Sequence, residues 1–455
     1  MRDRGTTGVR RDRRRSPVVV PGAGRPPWVG LVLLGLLGGA AAYAANLPCR
    51  IAGWRGGVQF TYGCYTDIHP LFFRDGLAEG TLVYVDQPVE YPVLTGAWMQ
   101  LAAGAVSWIP DDRLAGGVYF DLTVVALTVC LVATVVMVGA MAGRDLRGGA
   151  ARFDPSVALL AGAGVALVPA TVLNAFINWD FLAIALATGA LFLWQRDRPW
   201  LAGALLGLAV AAKFYPVFFL GPLLVLGLRD WWRDRDGGAT LRDVARCTGA
   251  AVVAWAVVNL PVLLASPTGW ATFFVYSGER GADWGTIYYV LGQAGVGWAR
   301  GGETLNTVGT LGFLVGCVAV GALALFARNR PPLAALVFLT VAAFILTNKV
   351  WSPQFVLWLL PLAALAWPRN LRTWMVVAAI GLWQMAELGY ALGIWPYLDH
   401  VTRDSDVAAT TVTLGGYAVL TLGRFCGLIL ACAVVCAGCL RRPSHPTVAG
   451  SLRAD

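Results

Sequence analysis

The sequence predicts an all-α polytopic membrane protein, and three observations predict it. Of 455 residues, 57% are hydrophobic and only 13% charged, with a mean hydropathy of +0.64, a balance that soluble domains of this size do not show. Apolar runs recur from Trp28 almost to the C-terminus. The basic residues, which give a net charge of +9, fall in short clusters between those runs. That is the pattern of a topology signal, so no nucleic-acid partner is expected.

In chain order, residues 1–27 carry eight arginines against Asp3 and Asp12, a composition that predicts a disordered cytoplasmic tail. The run 28–45 lacks a convincing small-residue cleavage site and reads as an uncleaved first span. The loop 46–116 then starts outside the cytoplasm. Two parses compete for the segments beyond the first span. In one, 94–109 crosses the bilayer and 200–228 is a single tilted helix. In the other, 94–109 stays at the outer surface and 200–228 is broken at Lys213. The first puts Arg144, Arg147 and Arg152, and likewise Arg196 and Arg198, outside; the second puts both basic loops inside, as the positive-inside rule expects. The second is adopted, although its half-spans of about 13 to 15 residues must then be buried among neighbours.

About twelve transmembrane helices result: 28–45, 117–142, 154–173, 180–195, 200–212, 214–228, 248–266, 306–327, 331–347, 352–367, 372–393 and 410–440. The basic residues Arg233, Arg235 and Arg242, then Arg328 with Arg330, Arg369 with Arg372, and Arg441 with Arg442 fall inside. On this parse both termini are cytoplasmic, 28–440 forms one transmembrane domain, and 441–455 is a second cytoplasmic tail. A multi-pass plasma-membrane protein is expected.

The same parity collects the unusual polar groups outside. The stretch 62–92 packs Asp67, His69, Arg74, Asp75, Glu79, Asp86 and Glu90 between apolar segments. Asp75, Glu79 and Asp86 read as solvated loop acids. Asp67 differs, because Tyr62, Tyr65, Phe72 and Phe73 flank it and can hold a carboxylate near lipid depth. The partly amphipathic LFFRDGLAEG is expected to lie along the interface with Leu71, Phe72 and Leu77 toward the lipid. Glu90 and Tyr91 precede Pro92, which favours an extended Tyr91; the turn either presents Glu90 inward or serves as an interfacial anchor. Asn174, Asn178, Trp179 and Asp180 form a second polar cluster, with helix capping as the plainer role for Asn178 or Asp180.

Lys213 is the most informative single residue. An uncompensated lysine inside an apolar run costs about 3 kcal/mol on insertion scales, so it needs an anion. At a helix break beside Tyr215 and Pro216, that anion is either a lipid phosphate or Asp180. Lys349, among Asn348, Trp351, Ser352 and Gln354, repeats the logic, with snorkelling as the alternative. The segment 267–305 carries Glu279, Arg280 and Asp283 with Trp284, Tyr288 and Tyr289, aromatics that suit a sugar ring, an isoprenoid chain or an interfacial belt. His400 stands alone in the last outer loop, Trp395 to Asp406. Seven of the nine cysteines lie in or beside apolar runs, and no metal-ligand spacing appears. Cys49 and Cys64 lie outside, where an oxidising compartment would close a loop of about 15 residues, stabilising by about 3 kcal/mol, and two free thiols are the alternative.

The order CYTDIHPLFF, VEYPVLTG, NWDFLAIAL, LAVAAKFYPVFFLGPLL, DWGTIYYVL and NKVWSPQFVLWLLPL resembles actinobacterial members of glycosyltransferase family 87, whose relatives include polyprenol-phosphate-mannose-dependent mannosyltransferases. The resemblance covers nearly the whole chain except the tails. It implies a GT-C fold, an outward-facing active site, a polyprenyl-phosphate sugar as donor, a lipid or glycan acceptor, and neither cofactor nor catalytic metal. It implies Asp67 as general base. On that scheme Lys213, Lys349 and Tyr215 meet the donor phosphate, and Tyr65, Glu90, Tyr91, Asn178, Asp180, Asp283, Trp284 and Gln354 bind substrate. Arabinofuranose is the rival to mannose. A lipid-linked-sugar flippase or transporter is the alternative of a different class; it would place its acids near the midplane and repeat its halves in inverted order, and neither is visible in the sequence.

Overall fold

The computed structural model describes residues 25–145, 152–234, 238–403 and 412–441. Residues 1–24 of the expected tail 1–27, Arg147, Arg235, Asp406 and residues 442–455 lie outside them. The helices in order are α1 (Trp28–Ala52), α2 (Val58–Tyr62), α3 (Ile68–Arg74), α4 (Val93–Val106), α5 (Asp112–Ala142), α6 (Pro155–Ala166), α7 (Pro169–Asn174), α8 (Asp180–Trp194) and α9 (Pro199–Ala212). They continue as α10 (Leu220–Asp234), α11 (Gly238–Ala265), α12 (Pro267–Glu279), α13 (Ile287–Gln293), α14 (Glu303–Phe326), α15 (Leu333–Thr347), α16 (Val356–Ala366), α17 (Thr373–Arg403) and α18 (Leu414–Leu440). The strands among the described residues are one two-residue antiparallel pair, Arg144–Asp145 with Arg152–Phe153.

Seven of the described helical segments are long and apolar enough to cross a membrane, and five more are apolar but shorter. Each of the expected spans has a helical counterpart. The short ones survive because they are enclosed: in α15 every residue from Ala334 to Ala342 is buried, and in α16 every residue from Val356 to Ala363. A short apolar helix inside the bundle satisfies its backbone internally and needs no polar face. The long α14 buries only Leu305 and Ala324, and its exposed apolar surface suits lipid. Local chemistry sets the ends. Asp111 caps α5 through Leu114 N (2.7 Å), Asp154 caps α6 ahead of Pro155, and Thr413 caps α18, as short polar side chains do for orphan helix amides.

The break at Lys213 is real. Lys213 is extended (φ −153°, ψ 142°) at the end of α9, and a 3-10 turn over Tyr215–Phe219 precedes α10. Pro216 has no N–H to offer the carbonyl of Ala212, and that carbonyl instead accepts from Thr95 Oγ1 on α4 (2.7 Å). The segment 94–109 is thus a helix whose buried face locks the break.

Three expectations need correction. Helices overrun the apolar runs: α17 continues through most of the expected outer loop 395–406, α11 begins inside the expected loop 229–246, and α12 and α13 occupy 267–305. Backbone hydrogen bonding continues a helix into polar sequence wherever the residues permit, so apolarity marks depth rather than helix length. The stretch 71–80 is not one interfacial helix. It holds only the last four residues of α3, then turns through Gly76 and Gly80, both at positive φ (69° and 78°), while Ile68, Leu71 and Phe72 pack inward, Phe72 on Tyr119 of α5 (4.7 Å). Asp75 is no solvated acid: its side chain is 2% exposed and paired with Arg74 at 2.7 Å.

Close helix contacts depend on small residues, which let backbones approach. A Cβ on Gly38 of α1 would strike the carbonyl of Ala166, and on Gly207 of α9 that of Ala251 in α11. Gly207→Leu should therefore destabilise the protein by about 1–3 kcal/mol, read as a lowered unfolding temperature in detergent, whereas Gly221→Leu, where a Cβ meets nothing within 4 Å, should leave it nearly unchanged.

Candidate functional site

A cavity of about 790 Å³ lies where the first loop and the segment after α12 meet the ends of α9, α15 and α17. One wall is the first loop, held in place by its backbone. Cys49 and Cys64 form a disulfide joining α1 to this loop, with Cα atoms 5.9 Å apart, and Trp54 Nε1 donates to the Cys64 carbonyl. Thr66 Oγ1 donates to the carbonyl of Phe176 (2.7 Å), and Asp67 N to that of Ile177 (2.6 Å). CYTD and NAFINWD are thereby stitched together.

Asp67 sits at the N-terminal end of α3 yet does not cap it. Its carboxylate turns into the cavity, where Tyr65 OH donates to Oδ1 (2.7 Å) and Tyr91 OH to Oδ2 (3.1 Å). Tyr65 stacks on Trp395 (4.8 Å) and Tyr91 meets Trp179 edge-on (5.0 Å), so aromatic rings replace water on both sides. Burial pushes the Asp67 carboxyl up; the two phenols and Lys213 pull against it, and Glu90 adds to the rise. The Asp67 charge in turn raises Tyr65, and burial followed by the same charge raises Tyr91. Both phenols keep their protons and remain donors. His69, two residues on, faces away: it stacks on Trp54 (4.5 Å) and burial, then Arg50 and Arg55, lower it to about 4.

A second wall begins at the α9 break. Lys213 Nζ lies 2.9 Å from Oδ1 of the buried Asp180 and 5.3 Å from the Tyr91 ring centroid. The pairing is one of charge and distance: neither Asp180 oxygen receives an aligned hydrogen bond among the described residues. Asn178 Oδ1 accepts from Asp180 N (3.2 Å) in the turn before α8, whose N-cap residue is Trp179. Tyr215 stacks flat on Trp358 (4.4 Å, 4°), and Phe355 stacks on the same indole (3.9 Å). A third wall carries Arg280, which lies 3.4 Å from Asp283 Oδ1 and covers the Tyr276 ring, while Ser352 Oγ donates to Asp283 Oδ2 (3.3 Å). At the mouth, Arg74 links Asp75 to Glu90 (3.1 Å).

Of the residues singled out from sequence, Tyr65, Asp67, Glu90, Tyr91, Asn178, Lys213, Tyr215, Asp283, Trp284 and Gln354 line this one cavity. Asp180 stands behind Lys213. Lys349 is the correction: its Nζ donates to the Gly278 carbonyl (2.6 Å) and it does not line the cavity. Burial, then the Arg280 charge, lower its pKa. The extended backbone at Asn348 (φ −75°, ψ 146°) aims alternate side chains to opposite sides, so Asn348 faces in where Lys349 faces out. Arg74 and Arg280, named from the sequence without a role, also line the cavity as cations. Their signal was an arginine within three residues of an acid and beside aromatics.

A family model described as glycosyltransferase family 87 matches residues 91–348, more than half of the chain; the match begins at Tyr91, downstream of Asp67. No curated protein matches the chain. Among solved structures, the crystal structure of ArnT from Cupriavidus metallidurans bound to undecaprenyl phosphate is similar over 87% of this chain and 77% of that one, at 15% identity and a TM-score of 0.43, a loose likeness.

Because hydrogen bonds to a carboxylate favour its charged form, Tyr91→Phe should raise the Asp67 pKa further. The check is the infrared carboxyl band that disappears in Asp67→Asn: in Tyr91→Phe it should persist to higher pH than in the native protein.

Proposed function

The chain belongs to glycosyltransferase family 87, and from that premise we propose that it moves a sugar from a polyprenyl-phosphate donor to a hydroxyl of a lipid- or glycan-linked acceptor on the outer face of the plasma membrane. Mannose is the sugar that the sequence resemblance favours. The observation that carries the reading is Asp67: a desolvated carboxylate held by two phenols, in one cavity with Lys213, Arg280 and aromatic rings.

The chemistry is an inverting displacement. Asp67 accepts the proton of the acceptor hydroxyl as its oxygen attacks the anomeric carbon; the C–O bond to phosphate breaks, and its electron pair leaves with the polyprenyl phosphate. Desolvation makes Asp67 a stronger base than an ordinary aspartate, and Tyr65 and Tyr91 fix its direction. The growing charge on the leaving phosphate needs preorganised cations. Lys213 supplies one, tempered by Asp180, and Arg280, with a planar fork suited to phosphate oxygens, supplies the second in place of Lys349. Tyr215 and Trp284, which line the cavity, offer aromatic rings to the sugar or the first isoprene units.

Asp67→Asn, reconstituted in liposomes with polyprenyl-phosphate sugars, should lose transfer by at least about 100-fold while unfolding at the native temperature; near-native turnover would contradict the base assignment. Arg280→Gln should raise the donor KM about 10- to 100-fold and leave the acceptor KM alone; equal effects on both substrates would count against a donor-phosphate role. The base must be ionised to act, and its pKa is raised. Activity should therefore fall on acidification at a pH above the ordinary aspartate range, and an acid limb at or below that range would contradict the buried-base reading.

A further inference from the structure

Behind the cavity's third wall, the bundle interior holds an ion pair that the transfer chemistry does not use. Arg424 of α18 and Glu387 of α17 have side chains 0% and 3% exposed, with Nε 2.7 Å from Oε2. Charges buried in apolar helices are costly and mark a use. The guanidinium is fully committed: it donates to the carbonyls of Trp351 (3.1 Å) and Ser352 (3.2 Å), and the rings of Trp351 and Tyr390 lie 4.3 Å from it. It reaches no ligand space itself.

What it holds is the wall in front of it. Residues 351–353 run between α15 and α16, and Ser352, on that run, donates to Asp283 across the gap. The partner segment is anchored by the same platform. Tyr390 OH and Tyr417 OH share a hydrogen bond (3.0 Å), and Tyr417 OH donates to the Trp284 carbonyl (2.9 Å). Gly285 leaves no room for a Cβ against the Trp351 carbonyl, Tyr390 OH and Arg424. Two loops from distant parts of the chain thus meet in register over this guanidinium.

We propose that Arg424, held by Glu387, is the positioning residue that sets the Asp283–Trp284 and Ser352–Gln354 wall to the sugar-phosphate head of the donor. It governs donor affinity and leaves proton transfer at Asp67 untouched. The proposal rests on the donor reading above, through Arg280, whose ion-pair partner Asp283 belongs to this wall.

Arg424→Lys keeps the charge but loses the planar fork that serves several acceptors at once. In proteoliposomes it should raise the donor KM about tenfold, with kcat and the acid limb of the pH profile unmoved. The pair Arg424→Met with Glu387→Met removes both charges without stranding either, so it should unfold at a higher temperature than Arg424→Met alone while keeping the raised donor KM. A paired variant with native donor KM, or an Arg424→Lys variant that lowers kcat at unchanged donor KM, would overturn the proposal. A readout independent of transfer is the labelling of Ser352→Cys by a small maleimide, with the seven free cysteines replaced. Arg424→Lys should change its rate about fivefold, and an unchanged rate would overturn the positioning role. If the native protein transfers no sugar from any polyprenyl phosphate, the donor reading fails while the labelling still decides what Arg424 positions.

Discussion

Desolvation of the Asp67 carboxylate is the constraint on which the site depends. A charge taken from water is unstable unless donors replace the lost solvent, and here the donors are two phenols brought from either side, Tyr65 from its own loop and Tyr91 from the turn before α4. For both to reach it, the first loop must be fixed at its base by the disulfide, along its length by the bonds to Phe176 and Ile177, and on its far face by α5. The basicity that suits Asp67 to take a proton has the same cause as the rigidity around it.

Helix breaks bring the other walls to that carboxylate. A continuous helix would put Lys213 on the face of α9 that Ala202, Leu206 and Ala209 bury, among apolar neighbours. Pro216, just beyond it, instead frees the Ala212 carbonyl for Thr95 and lets the lysine turn toward Asp180. The run after α15 works the same way at Asn348–Pro353, with Arg424 as its support. Irregular backbone at depth is tolerated only where protein groups satisfy it, and at both breaks the satisfying groups are visible.

Much of this was legible in the sequence, because a polar residue at the end of an apolar run has few places to go. Asp67, Tyr91, Lys213, Asp283 and Gln354 were readable for that reason. Asp75 was misread because burial in a loop leaves no periodic trace, and Lys349 because its direction depends on one extended residue before it. Glu387 and Arg424 stayed invisible as a pair: each is diluted in a long apolar helix, 37 residues apart, and only helix packing brings them together. Hydropathy also stops short of helix ends, since α11 and α17 continue through polar sequence that hydrogen-bonds as well as any other.

The most direct measurement is a structure with an unreactive polyprenyl-phosphate sugar in the cavity. The anomeric carbon should lie between the Asp67 carboxylate and the phosphate, with the base on the face opposite the leaving group and the phosphate oxygens toward Lys213 and Arg280. A donor bound with its phosphate on the Asp67 side, or with its sugar outside this cavity, would contradict this arrangement.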